Sequence, residues 1–256
     1  ISNDALVTLL CAVALYWIVR LIRRGFTWSV GLAAAVAMAL AFLSKINAVF
    51  LPIPFSLAIL SKRAPWRTRF SRLGVLAVTF ILVAPWLLYN QLLYGDPLAK
   101  RAMLTAVKHL VDIKPITSPY FTSTFPSLLF RSFIGGFGWM NLWLPEWLYK
   151  LFGLFALASL VGYAWRWFCR RTDTRLTFTL LSVPVLSLVN TIYINLTFSQ
   201  PQGRYLFPAL PAIAVLAAIG LEGLPGWSQR TTLVTLGALA LLNVYTLFAV
   251  IIPAYW

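Results

Sequence analysis

Lys45 falls between two apolar runs with no polar loop around it. A compact ammonium there suits a phosphate as a point positive charge, and simple snorkelling to the membrane surface explains it equally well. Arg204 lies in Ser199-Gln200-Pro201-Gln202-Gly203-Arg204-Tyr205-Leu206-Phe207-Pro208. Its planar fork matches phosphate oxygens. Gly203 allows a close backbone approach or an unusual turn, while Pro201 and Pro208 stiffen the entry. The competing reading is an arginine that anchors a helix end at the head groups. Asp4 follows Asn3 at the start of an apolar run. A carboxylate there caps the free amides of a helix. Asn47 and Asn90, then Gln91, Asp96, Gln202 and Tyr205, complete the polar set. Charged groups at membrane depth are costly and point to function by default. Gly95-Asp96-Pro97 also reads as an ordinary turn.

Other chemistries find no pattern. The one histidine, His109, lies in Lys108-His109-Leu110 and reads as a surface residue before it reads as a base. Gly135-Gly136-Phe137-Gly138 lacks the lysine and preceding strand of a P-loop and reads as a bend between interfacial helices. Cys11 and Cys169 are far apart in the chain and show no metal-ligand spacing. Both read as small buried hydrophobes. No cofactor and no metal ligand belongs to this reading.

These residues sit in a chain of 256 residues that is 61% apolar and 11% charged. A soluble domain carries about 25% charged residues, so a soluble globular enzyme is excluded. Disorder requires low hydrophobicity, and the mean hydropathy here is +0.83. A polytopic membrane protein is left. The formal charge of +15 suits nucleic acid less well than it suits the positive-inside rule, and no nucleic-acid partner is expected. The amino end, Ile-Ser-Asn-Asp, has neither Met nor a basic n-region. It is not a signal peptide and reads as part of a longer chain.

A bilayer core takes about 20 apolar residues as helix. Eight spans are expected, near 5–19, 28–43, 46–60, 73–93, 147–168, 176–196, 206–221 and 231–252, giving an all-α polytopic fold. The second and third, separated by Ser44-Lys45, form a tight hairpin. Arg20, Arg23, Arg24, Lys62, Arg63, Arg67, Arg69, Arg72, Arg166, Arg170, Arg171, Arg175 and Arg230 then fall on one side. The short loops place that side in the cytoplasm. Lys45, Arg204 and the Asp4 end face outward. Residues 1–256 form a single transmembrane domain. Its one large loop, 94–146, is rich in aromatics, including Tyr120, Phe125, Phe133 and Trp139. It is too long for a structureless connection and should fold onto the membrane surface, with short helices near 98–111 and 126–134. Its aromatics also suit an interfacial belt.

The order of Asn3-Asp4-Ala5-Leu6, Leu43-Ser44-Lys45, Tyr89-Asn90 with Tyr94-Gly95-Asp96-Pro97, and Gln202-Gly203-Arg204-Tyr205-Leu206-Phe207-Pro208 resembles the GT-C membrane glycosyltransferases. These use polyprenyl-phosphate sugars, in the protein-mannosyltransferase and aminoarabinose-transferase group. Ser132-Phe133-Ile134-Gly135-Gly136-Phe137-Gly138-Trp139-Met140-Asn141, with Pro145 and Tyr149, is similar to an allied uncharacterised family of bacterial membrane proteins. The resemblance implies a polyprenyl-phosphate-linked sugar donor with its tail between helices. It implies transfer outside the cytoplasm with inversion, in a bacterial inner membrane with the active face outward. It gives Lys45 and Arg204 to the donor phosphate, with Asn47, Asp96, Gln202 and Tyr205 around the substrate. The family's base lies in a first outward loop that precedes Ile1. Asp4 matches a second acidic position, which positions the acceptor or an ion. The segment alone is therefore expected to turn over little or not at all.

Two other classes compete. A transporter or flippase would show internal repeats and interrupted helices at the midplane, whereas the polar residues here gather at one face. A noncatalytic lipid-phosphate binder would keep the cations and lack the base.

Overall fold

The computed structural model describes residues 3–61, 64–138, 140–169 and 171–255. Lys62, Arg63 and Arg170 of the basic set, Trp139 of the aromatic set, and the first two residues lie outside them. Twelve α-helices follow in chain order among the described residues. They are α1 (Asp4–Arg24), α2 (Trp28–Ser44), α3 (Pro52–Leu60), α4 (Trp66–Leu73), α5 (Leu76–Tyr94), α6 (Lys100–Ala106), α7 (Phe125–Gly135), α8 (Glu146–Phe168), α9 (Thr174–Asn195), α10 (Leu210–Leu221), α11 (Gln229–Tyr245) and α12 (Ile252–Tyr255).

Six helical stretches are long and apolar enough to cross a membrane: Asp4–Arg24, Trp66–Tyr94, Glu146–Phe168, Thr174–Asn195, Gly203–Leu221 and Gln229–Ala254. Trp28–Ser44 and Ile46–Leu60 are apolar but shorter. The chain is an all-α polytopic membrane protein, and each expected span coincides with one of these eight stretches. The extra length of Trp66–Tyr94 is α4, an arginine-rich turn of helix that precedes the apolar part.

Local chemistry sets the ends. Gly25 ends α1 at φ 97° and turns the chain. Thr27 then accepts the Val30 amide to start α2. Asp173 accepts the amides of Arg175 and Leu176 at the start of α9. Ser228 does the same for Thr231 at α11. Lys45 is fully extended, at φ −160° and ψ 127°, and breaks α2 from the 3₁₀ turn Ile46–Phe50. Pro52 and Pro54 lie in the first turns of α3, where a missing amide costs little.

The core gathers around α1. Val7, Cys11, Ala14 and Ile18 face the alanines of α2, including Ala34, Ala35 and Ala41. Small residues let the two backbones approach closely. Thr79 of α5 donates to the Ala35 carbonyl at 3.0 Å. α8 and α10 meet through Ser159, Gly162, Gly220 and Gly223. No residue of α11 is buried. It touches the rest at its far end, where Tyr245 lies 6.1 Å from Trp147 and Leu242 packs on the Leu144–Leu148–Tyr149 cluster.

The segment 94–146 carries α6 and α7, close to the expected pair. Its glycine stretch differs from the expected bend. Gly136–Phe137 (β1) pairs antiparallel with Leu142–Trp143 (β2) as a two-residue ladder. Tyr149 closes it, with its hydroxyl donating to the Gly135 carbonyl at 2.6 Å and accepting the Leu144 amide at 2.9 Å. A dozen residues carry too little β patterning to declare so short a ladder. Cys11 is buried as expected, whereas Cys169, past the end of α8, is exposed.

Candidate functional site

The hairpin of α1 and α2 closes on itself at the amino end of α1. Asn3 Nδ2 donates to the Ser44 carbonyl at 2.8 Å. Lys45 Nζ forms an ion pair with Asp4 Oδ1. The Lys45 and Asp4 side chains keep 16% and 11% of their surface, so the pair is largely withdrawn from solvent. The extended backbone at Lys45 is what directs its side chain back across the hairpin rather than along the helix.

A third element arrives from the far half of the chain. The 3₁₀ stretch Gly203–Ala209 packs against α1, α7 and α9. Ser187 of α9 donates to the Tyr205 carbonyl at 3.3 Å. The Tyr205 ring stands between two cations, with Lys45 Nζ 5.7 Å and Arg204 Cζ 5.9 Å from its centroid. An electron-rich ring face lowers the cost of holding both cations close.

Gly203 explains how the stretch fits. A Cβ there would lie 2.1 Å from Phe133 N and 2.2 Å from Phe133 Cα. The close-approach reading of this glycine therefore has a definite partner, the backbone of α7. Ser132 pins the contact. Its hydroxyl accepts the Gly203 amide at 2.8 Å, with the Leu128 carbonyl at 2.6 Å and the Pro201 carbonyl at 3.0 Å as acceptors for its one proton. Phe133 and Phe207 meet across the junction at 6.1 Å.

These elements enclose a cavity of about 730 Å³. Asp4 lines it from α1 and Ser132 to Gly135 from α7. Gly136 to Gly138 and Met140 line it from the ladder, and Gln202, Gly203, Arg204 and Phe207 from the stretch before α10. Gln202 Oε1 is enclosed and makes no hydrogen bond. The cavity is thus walled mainly by aromatic and glycine backbone surface, with one carboxylate and one guanidinium among its described residues. Such a wall takes a ligand with an apolar or ring-shaped body and an anionic group.

The sequence-derived set divides. Asp4, Gln202 and Arg204 line the cavity, while Lys45 is paired with Asp4 and the Tyr205 ring lies against Lys45 and Arg204. Asn47 is 5% exposed in the turn after Lys45, and its Nδ2 makes no hydrogen bond. That turn packs on α9 and on the 203–209 stretch, and Asn47 is not among the cavity residues. Asp96 stands apart from the cavity. Its carboxylate accepts the Leu98 amide at 3.0 Å and the Arg101 amide at 3.2 Å. The Leu98 amide, followed by the Arg101 and Lys100 amides, holds its carboxyl below the usual carboxylate range. It caps the approach to α6.

Ser132, Phe133 and the ladder glycines were legible only as a motif, since nothing in the residues themselves tells which wall they build. Tyr120 is one of the aromatics expected to form the interfacial belt. In the structure its hydroxyl donates to Asn195 Oδ1 at 2.7 Å, and Asn195 is fully buried. The Asp112 and Lys114 amides donate to the Thr197 and Leu196 carbonyls at 2.9 and 3.2 Å. The large loop is thereby fastened to the end of α9 beside the cavity. Among the described residues, no three His, Cys, Asp or Glu side chains come together as a metal site.

The family model described as dolichyl-phosphate-mannose-protein mannosyltransferase matches residues 1–89. The match takes in α1 to α4 and most of α5, and with them Asp4 and Lys45. It supports the likeness to GT-C mannosyltransferases over that part of the chain. No curated protein matches the chain, and no solved structure matches it.

Proposed function

We propose that the protein is a membrane glycosyltransferase that moves a sugar from a polyprenyl-phosphate donor to an acceptor on the outward side of a bacterial inner membrane. The observation that carries the reading is the convergence of Arg204 and the Asp4–Lys45 pair on one cavity whose first wall lies in the family-matched helices. Arg204 is the residue for the donor phosphate. Negative charge grows on the leaving phosphate as the sugar departs, and a fixed guanidinium aimed at it stabilises that transition state.

The ion pair revises the division of labour between the cations. Lys45 is held by Asp4 and supplies a fixed field behind the phosphate rather than a second direct ligand. Asp4 faces the cavity with a carboxylate already oriented, as a group that positions an acceptor hydroxyl must be. Gln202 Oε1, enclosed and without a hydrogen bond, is ready to accept one from a sugar hydroxyl.

The test uses the complete protein in lipid nanodiscs with a polyprenyl-phosphate sugar. Arg204→Ala is expected to weaken donor binding at least tenfold, the scale of a lost charge-assisted hydrogen bond. Arg204→Lys should recover part of it. Lys45→Ala is expected to lower turnover more than donor affinity. Unchanged donor affinity in Arg204→Ala removes the assignment. Tight donor binding without transfer favours a noncatalytic lipid-phosphate binder, a reading that the engagement of Asp4 by Lys45 also suits.

A further inference from the structure

The end of the bundle opposite the cavity holds a second concave site. Six arginines gather there on two elements: Arg20, Arg23 and Arg24 close α1, and Arg67, Arg69 and Arg72 lie on α4. The two groups are joined through the turn between α1 and α2, because Arg72 Cζ lies 5.2 Å from the Phe26 ring centroid. Helix α1, at about 1.5 Å per residue, sets this end about 30 Å from Asp4.

Orientation by positive charge requires only that arginines be present on one side. It does not require a shaped receptor, and this end has one. A cavity of about 440 Å³ is lined by Phe26, Trp28, Arg67, Thr68, Ser71 and Arg72. It offers two guanidinium groups, two hydroxyls and two aromatic rings. Neither α1 beyond Asp4 nor α2, α3 or α4 contains an acidic residue. None of the six arginines takes part in an ion pair among the described residues. The Nε of Arg69 is enclosed and makes no hydrogen bond, while its guanidinium lies 5.0 Å from the Trp66 centroid.

Helix α4 is built for the membrane surface. Its sequence, Trp66-Arg67-Thr68-Arg69-Phe70-Ser71-Arg72-Leu73, buries no residue. Trp66 and Phe70 are 61% and 64% exposed and sit one turn apart, with ring centroids 5.7 Å apart. Gly74 and Val75 keep right-handed helical angles, so α4 runs on into α5 and carries its exposed rings and arginines past the apolar part of that stretch. Its arginines then sit at the depth of lipid phosphates, where basic pockets between helices take anionic head groups.

We propose that this pocket is a binding site for an anionic phospholipid, with Arg67 and Arg72 on its phosphate, Thr68 and Ser71 on its head-group oxygens, and Phe26 and Trp28 against its glycerol and first methylenes. The site is independent of the sugar donor. It binds a structural lipid at the cytoplasmic leaflet and fixes α4 against the α1–α2 turn.

The experiment is native mass spectrometry of the full chain, released from nanodiscs that contain phosphatidylglycerol and phosphatidylcholine in equal amounts. The intact protein should retain phosphatidylglycerol in preference to phosphatidylcholine. Arg67→Gln/Arg72→Gln should lower that retention about 30-fold, the effect of removing two basic contacts near an anionic surface. Arg67→Lys/Arg72→Lys should keep most of it. Arg230→Gln, on the far helix α11, should leave it unchanged. Both substituted residues are at the surface, and the helical content of each variant is checked by circular dichroism. Added inorganic phosphate should not displace the lipid, because the rings hold its apolar part. Equal retention of the two lipids, displacement by inorganic phosphate, or retention unaffected by Arg67→Gln/Arg72→Gln in a folded protein overturns the proposal.

Discussion

Lys45 and Asp4, forty-one residues apart, form one ion pair that joins the end of α2 to the start of α1. The pair, together with the Asn3–Ser44 bond, makes the α1–α2 hairpin a closed unit at the cavity. Arg204 and Tyr205 arrive from the other half of the chain and dock against it.

The first expectation concerns that pair. Removing one member of a largely buried ion pair weakens the compensation of the other charge, at a cost of up to about 3–5 kcal/mol. Asp4→Ala and Lys45→Met should each lower thermal stability in detergent. The double variant should lose clearly less than the two singles combined, because neither charge is then stranded. Additive losses would show that the two side chains act independently.

How much of this was readable beforehand follows from what each feature depends on. Span positions depend on local apolar length, so 5–19 and 147–168 were recoverable from the residues alone, and α1 and α8 lie there. Lys45 stands out in the sequence because it interrupts an apolar run, and Arg204 because it follows a glycine in a short polar stretch between two such runs. The pairing of Lys45 with Asp4 is not legible in the sequence, since it depends on a tertiary turn at Lys45. Nor was the cavity wall legible. Ser132 and Phe133 sit in an aromatic loop whose composition fits an interfacial belt as well as a packed wall, and only the Gly203 contact separates the two. Asp96 was grouped with the substrate residues because Gly-Asp-Pro at a helix end looks the same whether its carboxylate caps or catalyses.

Gly203 gives the second expectation. Its missing Cβ would meet the Phe133 backbone at 2.1 Å, and backbone cannot move aside as a flexible side chain can. Gly203→Ala should push the 203–209 stretch away from α7 and cost about 1–3 kcal/mol or more. Ser132→Ala should act on the same junction by a gentler route. It leaves the buried Gly203 amide without its acceptor, at about 1–3 kcal/mol. Donor affinity should fall in both, since Arg204 follows directly. Unfolding midpoints and donor binding, measured together, check this; a Gly203→Ala protein with intact binding would contradict the packing.

Helices α8 and α10 supply a third expectation. A Cβ on Gly162 would lie 2.1 Å from the Gly220 carbonyl oxygen, and one on Gly220 would lie 2.1 Å from the Ser159 carbonyl oxygen. Small residues at such a crossing let helices pack backbone to backbone in a membrane. Gly162→Val and Gly220→Val should therefore force the pair apart and lower the unfolding midpoint markedly. Gly237 in α11 has nothing within 4 Å of its would-be Cβ, so Gly237→Ala should change stability little. Similar losses at all three positions would argue against a specific crossing.

The last expectation is a pH window for the docked loop. The Lys114 ammonium, with the Ser199 hydroxyl after it, holds the Asp112 carboxyl below its ordinary value of 3.8. The Leu98 amide does the same for Asp96. A carboxyl whose value is lowered by folding favours the folded state above its ordinary value. That contribution fades as pH falls through the lowered one. The opposite limit belongs to Tyr120. Burial, and then the Asp112 charge, push its phenol from 10 up to about 12. It is an acid held neutral by the fold, so its contribution is complete below pH 10 and is lost as pH rises through about 12. The 96–124 segment should therefore stay protected from amide exchange across the neutral range and loosen at both extremes. Hydrogen exchange of peptides from this segment, read against those of α1 at each pH, measures it. Asp112→Asn should blunt the acid limb, and Tyr120→Phe should remove the alkaline limb while leaving the acid one. An exchange profile for the segment that is flat below pH 4 in the unsubstituted protein would contradict the acid half of the argument.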